Sequence, residues 1–128
     1  MMNTTALTLI KLGGLTHLGW FVFHCFFWRL FAWREQLPRL SQVNRGVMQV
    51  LNLCLSCAFL LFAVVSLWFA DELLKPGLGH VLLIGIGVLW TLRLIEQPLF
   101  FGTSRVSNLF SLLFVFTSAC YLGAWILS

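Results

Sequence analysis

Residues 46–70 read GVMQVLNLCLSCAFLLFAVVSLWFA and contain no charged side chain. A helix needs about 20 mainly apolar residues to cross the hydrocarbon core of a bilayer, and this stretch exceeds that length. Because lipid offers no hydrogen-bond partner to an exposed backbone, a spanning segment of this kind must be helical. Residues 46–70 therefore predict a transmembrane helix, and the rest of the chain is interpreted from it.

Three further apolar runs of similar length are present, at about 12–33, 78–97 and 106–127. The chain of 128 residues is 60% hydrophobic and 9% charged, whereas soluble domains carry about 25% charged residues. So little charge cannot cover a surface that faces water. The sequence predicts one all-α domain, an integral membrane four-helix bundle whose short connections make consecutive helices antiparallel neighbours.

The basic residues predict the orientation of the bundle. They cluster around the first connection and around the third: Arg29, Arg34, Arg39, Arg45, Arg93 and Arg105. The opposite side carries only Lys11 and Lys75. By the positive-inside rule, the first and third connections are cytoplasmic and both termini lie on the non-cytoplasmic side. Compact size and no recognisable targeting segment favour a bacterial inner (cytoplasmic) membrane, with membrane lipid around the bundle.

Several functional classes lack the motifs that they require. The basic residues form no patch or groove, so we expect no nucleic-acid partner. No nucleophile elbow, zinc-hydrolase motif or phosphate-binding glycine loop is present, so a binding role is favoured over catalysis, which stays open.

Polar side chains within the spanning segments predict a ligand site, because such groups are costly in lipid. Six of them fall at similar estimated depths in the cytoplasmic half: His24, Gln49, Asn52, Arg93, Glu96 and Asn108. If their faces converge, they line a polar pocket that opens toward the cytoplasm. The leading hypothesis is therefore a small inner-membrane protein that binds or moves a small solute or lipid through this pocket.

Each residue of the predicted pocket has a role in this hypothesis. Arg93 attracts an anionic group, and Glu96 pairs with Arg93 or exchanges a proton. The amides of Gln49, Asn52 and Asn108 orient the ligand. The alternative is structural, because Arg93 and Glu96 can simply pair at the helix end and amide side chains commonly join membrane helices.

A second hypothesis comes from small residues in the fourth helix. Ala119 and Gly123, together with Cys120 and Ala124, are spaced four apart, as in close helix contacts. This face is a candidate for a homo-oligomer contact or for a larger membrane partner. The protein is then a non-enzymatic accessory or assembly subunit of a membrane complex.

A third hypothesis is membrane electron transfer through haem or thiols. His17 and His80 have similar estimated depths near the outer face, as a pair of haem ligands requires. Cys54 and Cys57 form a C-x-x-C pair, and we expect all four cysteines to be buried thiols. A four-helix membrane protein with such a pair resembles the quinone-linked thiol oxidoreductases, which implies electron transfer to a quinone. Those enzymes also have a second cysteine pair in a loop, which this chain lacks.

Overall fold

The computed structural model describes residues 2–128, which form helices and connections without any strand. In chain order the elements are α1 (Thr4–Cys25), α2 (Phe27–Leu30), α3 (Trp33–Gln36), a 3₁₀ turn (Leu37–Arg39), α4 (Gln42–Trp68), α5 (Ala70–Leu73), α6 (Leu78–Phe101) and α7 (Arg105–Leu127). Four of these helices, α1, α4, α6 and α7, are long and apolar enough to cross a membrane. Their length and composition confirm the prediction of an integral membrane protein with four spanning helices.

The predicted bounds of the first helix, 12–33, are wrong. The helix begins at Thr4, where the side-chain oxygen of Asn3 accepts hydrogen bonds from the amides of Thr5 and Ala6 at 2.9 and 3.3 Å. It ends at Cys25. Residues 26–33 are mainly apolar, with Arg29 as their one charged residue, so composition could not separate them from the helix. They form α2 and a turn in which Ala32 has the left-handed dihedrals φ 48° and ψ 45°.

The other three helices lie closer to their predicted bounds. α4 begins before residue 46, since the Ser41 hydroxyl caps it by accepting from the Asn44 amide at 3.2 Å. α6 continues through Pro98 to Phe101, beyond its predicted end at residue 97. Proline has no amide hydrogen to donate, but its own carbonyl accepts from the Gly102 amide at 3.2 Å and closes the last turn.

The long helices are not all packed on their neighbours in sequence. α1 packs on α4 and on α7, and α7 packs on α6. The backbones of α4 and α6 have almost no contact, so the expectation that consecutive helices are neighbours is wrong for this pair. Side chains bridge the gap at mid-length, where the Phe59 and Trp90 rings stack with centroids 5.5 Å apart.

Contacts between distant residues bring both chain ends together. The Asn3 side-chain amide donates to the Leu127 carbonyl at 3.2 Å, and the Ser128 hydroxyl lies 3.1 Å from His80 Nε2. The termini and the start of α6 therefore share one end of the molecule. Residues 26–41 and the connection from α6 to α7 form the opposite end.

Aromatic rings pack together in the interior, and the exterior is largely aliphatic. Trp20 and Trp90 are both buried, and their rings stack with centroids 5.5 Å apart. Most large hydrophobic side chains on the long helices are exposed, as expected for a surface that faces lipid. The expectation of four buried thiols is wrong, because only Cys120 is buried and the other three cysteines lie on the outer surface.

Candidate functional site

A cavity of about 1010 Å³ occupies the half of the molecule that contains residues 26–41. All four long helices contribute to its walls, and residues of α3 and of the 3₁₀ turn border it. Most of the lining is aromatic or aliphatic, and the aromatic members include Trp20, Phe27, Phe59, Trp90, Phe110 and Phe114. The predicted pocket was polar, whereas the observed cavity is mainly apolar with a few polar groups in its walls.

One polar wall is built around Arg93 in α6. Its Nη2 donates to Gln97 Oε1 at 2.8 Å, while its Nη1 is 4.0 Å from Glu96 Oε2. The guanidinium carbon also lies 5.2 Å from the centre of the Phe101 ring and 4.9 Å from that of the Phe114 ring. Such positions over aromatic faces favour a cation. Arg93 is thus held in place by a neutral amide and two rings more closely than by Glu96.

Gln97 is a site residue that the sequence analysis did not select. Its amide nitrogen donates to the Ser107 hydroxyl at 3.0 Å, and that hydroxyl donates to the Gly102 carbonyl at 2.6 Å. Gln97 therefore joins α6 to α7 and holds the Arg93 guanidinium through its side-chain oxygen. Its position four residues after Arg93, on the same helix face, was the available signal.

The second polar wall is formed by His24 in α1 and Asn52 in α4. His24 Nδ1 lies 2.9 Å from Asn52 Oδ1, and the Asn52 amide nitrogen donates to the backbone carbonyl of His24 at 3.4 Å. The imidazole stacks on Phe27 with centroids 4.1 Å apart. Asn52 therefore fixes the position of the His24 ring from outside the cavity.

The six predicted site residues divide into two groups. His24, Arg93 and Glu96 line the cavity, whereas Gln49, Asn52 and Asn108 do not. Gln49 donates to the Arg45 carbonyl of its own helix at 3.1 Å, and Asn108 is exposed. Three of the six residues are thus brought to one site, and Asn52 supports it indirectly.

The two histidines proposed as haem ligands are not a pair. Trp90 Nε1 donates to His17 Nε2 at 2.9 Å, so that nitrogen is already used. His80 lies near the start of α6, with Nε2 3.2 Å from the Leu74 carbonyl. Trp90 follows His80 by ten residues in the same helix, which corresponds to about 15 Å along the axis. The two imidazoles therefore lie at different depths.

The thiols do not form a site with other ligands. Cys54 and Cys57 are exposed on α4. Within residues 2–128, no group of three or more His, Cys, Asp and Glu side chains is close enough to hold a metal ion. Thiol-based electron transfer stays a prediction without a structural feature that favours it.

The small residues of α7 are used within the chain itself. Cys120 and Ala124 are fully buried, and a Cβ atom at Gly123 would lie 3.4 Å from Leu9 Cδ1. Only Ala119 of this set is exposed. Association with a second copy or with a larger membrane partner through this helix stays a prediction.

No protein-family model matches the chain, and no curated protein or solved structure matches it. The chemistry of the cavity therefore carries the functional inference. Its two polar walls come from different helices, with His24 on α1 and Arg93 on α6.

Proposed function

We propose that this membrane protein binds an anionic lipid in the cavity, with the headgroup at Arg93 and the acyl chains among the aromatic side chains. The observation that carries the proposal is a partly buried guanidinium in the wall of an otherwise mainly apolar cavity of about 1010 Å³. Ligand cavities commonly measure about 300–1,000 Å³, so this one suits a large amphiphile better than a small polar solute.

The charges around the cavity favour an anion. Arg93 and Arg39 both line it, and Glu96 is the acidic residue among its lining. Glu96 is 4.0 Å from the nearest Arg93 nitrogen. At that distance the guanidinium can still donate hydrogen bonds to an anionic ligand. Arginine binds phosphate through two parallel hydrogen bonds, a geometry that a phospholipid headgroup supplies.

Exposed apolar residues in the cavity lining favour a ligand that arrives from the bilayer. Met48 and Leu55 on α4 and Leu92 on α6 line the cavity and are also exposed on the outer surface, by 39%, 38% and 55%. They belong to α4 and α6, the two consecutive long helices whose backbones have almost no contact. A water-soluble solute meets an apolar rim here, whereas an acyl chain is already surrounded by similar groups. This difference favours lipid over the small-solute form of the sequence hypothesis.

The orientation that we propose follows the basic residues. Arg29, Arg34, Arg39 and Arg105 are exposed at the end of the molecule that contains the cavity. In an antiparallel bundle in a bacterial inner membrane, the positive-inside rule places this end in the cytoplasm and both termini outside. Alkaline phosphatase fused after Ser128 should then be active, and a fluorescent protein fused there should not mature. The reverse result would contradict this orientation.

Lipid binding can be tested on the purified full chain in detergent. Native mass spectrometry with phosphatidylglycerol and phosphatidylcholine should show tighter binding of the anionic lipid. Arg93→Gln should weaken phosphatidylglycerol binding by about ten- to a hundredfold, as expected for loss of a charge-assisted hydrogen bond. Arg105→Gln is the matched control, because Arg105 is exposed at the same end but does not line the cavity.

Two results would overturn the proposal. One is equal affinity for the anionic and the zwitterionic lipid in the unmodified protein. The other is an Arg93→Gln variant that binds phosphatidylglycerol as the unmodified protein does. Thermal unfolding of both arginine variants shows whether the fold is retained, so that lost binding is not confused with lost structure.

A further inference from the structure

One nitrogen in the cavity wall has no partner within the protein. His24 lines the cavity and is 9% exposed, and its Nδ1 is occupied by Asn52. Its Nε2 makes no hydrogen bond with any of residues 2–128, and among these residues no fully buried side-chain nitrogen or oxygen is left without a partner. His24 Nε2 is therefore accessible, and a ligand in the cavity that the ring lines can reach it.

The protonation of this nitrogen follows from the orientation of Asn52. A backbone carbonyl can only accept, so the group of Asn52 that faces the His24 carbonyl must be its NH₂. The Asn52 oxygen then faces His24 Nδ1, and an oxygen of this kind can only accept. Nδ1 must carry a proton, so the neutral imidazole has its lone pair on Nε2. The cavity thus has an acceptor on α1 as well as a cationic donor on α6.

We infer that His24 Nε2 accepts a hydrogen bond from a hydroxyl group of the bound lipid, so that the ligand is an anionic lipid with a hydroxylated headgroup. This inference rests on the proposed function and makes its ligand class more specific. A phosphoglycerol headgroup has both required groups, a phosphate for Arg93 and hydroxyls for His24.

A zwitterionic headgroup fits the same walls less well. An ammonium group can also donate to His24 Nε2, but it brings a positive charge into a cavity lined by Arg39 and Arg93. A neutral hydroxyl donates without that repulsion. Packing alone does not require an imidazole at this position, since a phenyl ring can also stack on Phe27.

The test compares two lipids that differ in the hydroxyls alone. Phosphatidylglycerol and phosphatidylpropanol with the same acyl chains carry the same charge and the same three-carbon headgroup, and only the first has headgroup hydroxyls. The unmodified protein should prefer phosphatidylglycerol by about fivefold, the effect of one net hydrogen bond. His24→Phe keeps an aromatic ring against Phe27 and removes the acceptor, so this variant should bind both lipids equally.

Two further variants separate the roles of the walls. Arg93→Gln should weaken the binding of both lipids by the same factor and leave the preference for phosphatidylglycerol intact. Asn52→Leu removes the amide that holds the proton on Nδ1, so it should reduce the preference without removing the imidazole. Thermal unfolding of each variant identifies any loss of preference that comes from a damaged fold.

The failures of the two proposals differ. If the unmodified protein binds both lipids through Arg93 with equal affinity, or if the preference persists in His24→Phe, the hydroxyl inference is wrong and the lipid site stands. If the unmodified protein binds neither lipid, both proposals are wrong.

Discussion

Trp90 Nε1 donates a hydrogen bond to His17 Nε2 over 2.9 Å, which joins α6 to α1 in the buried interior. An indole nitrogen can only donate, so His17 Nε2 has a lone pair and Nδ1 carries the proton. Nδ1 lies 2.9 Å from both the Gly13 carbonyl and the Tyr121 hydroxyl. That hydroxyl lies 2.7 Å from Ser66 Oγ in α4. All four long helices thus meet around one imidazole, which is a structural centre of the fold.

Trp90→Phe should destabilise the protein by about 1–3 kcal/mol, because it leaves His17 Nε2 buried without a donor. The phenyl ring retains much of the aromatic packing, so most of the effect reports the lost hydrogen bond. The measurement is thermal unfolding in detergent, followed by circular dichroism. Trp68→Phe is the matched control, since Trp68 is 72% exposed. Equal stability of the two variants would contradict the role assigned to His17.

Gly13→Ala should also destabilise the fold, because a Cβ at this position would lie 2.5 Å from Tyr121 Cε2. The tyrosine ring must move, which separates its hydroxyl from His17 and Ser66. Forcing extra atoms into a packed core typically costs about 1–3 kcal/mol. Gly19→Ala in the same helix is the control, because a Cβ there meets nothing within 4 Å. The same unfolding assay should show a lower midpoint for the first variant only.

Ala32 holds the turn between α2 and α3 in the left-handed region, a conformation that costs an L-residue about 1–2 kcal/mol. Ala32→Gly should therefore leave stability unchanged or raise it slightly, and Ala32→Val should lower it, because β-branched residues fit this region poorly. Ala119→Val, at an exposed helical position, provides the control for adding a valine. If the Ala32→Val protein is as stable as the Ala32→Gly protein, the turn adopts other dihedrals.

Glu96→Gln should strengthen the binding of phosphatidylglycerol, because it removes a negative charge 4.0 Å from Arg93. The increase should be roughly two- to fivefold, in line with the small energies of exposed ion pairs. Glu35→Gln is the control, since Glu35 is exposed and does not line the cavity. Weaker binding after Glu96→Gln would instead favour the sequence hypothesis in which Glu96 exchanges a proton or contacts the ligand.

The membrane location and the existence of four long helices could be predicted because they depend on local composition. An apolar run such as 46–70 needs lipid around it wherever the neighbouring helices lie. The same argument failed for residues 26–33, whose side chains are all aromatic or aliphatic apart from Arg29. α1 ends at Cys25 and the chain turns again at Ala32, and residues 26–33 contain no glycine or proline that would predict either break.

Part of the candidate site could be predicted for a related reason. Arg93, Glu96 and His24 stand out because ionisable groups are rare in apolar segments, and all three line the cavity. Asn108 satisfied the same polar criterion, but its side chain faces away from the site. Spacing within one helix predicts which residues share a face, not toward which neighbour that face is turned.

The sequence by itself determined that this chain is helical and that its solvent is lipid. In lipid, the backbone of an apolar segment can satisfy its hydrogen bonds within the segment only as a helix. The tertiary structure alone decided that α4 and α6 stand apart, that Asn52 orients His24, and that His17 bonds to Trp90 instead of facing His80. Those outcomes depend on the rotation and separation of whole helices. Several buried polar groups bond to a partner on another helix, and local periodicity does not specify which one they meet.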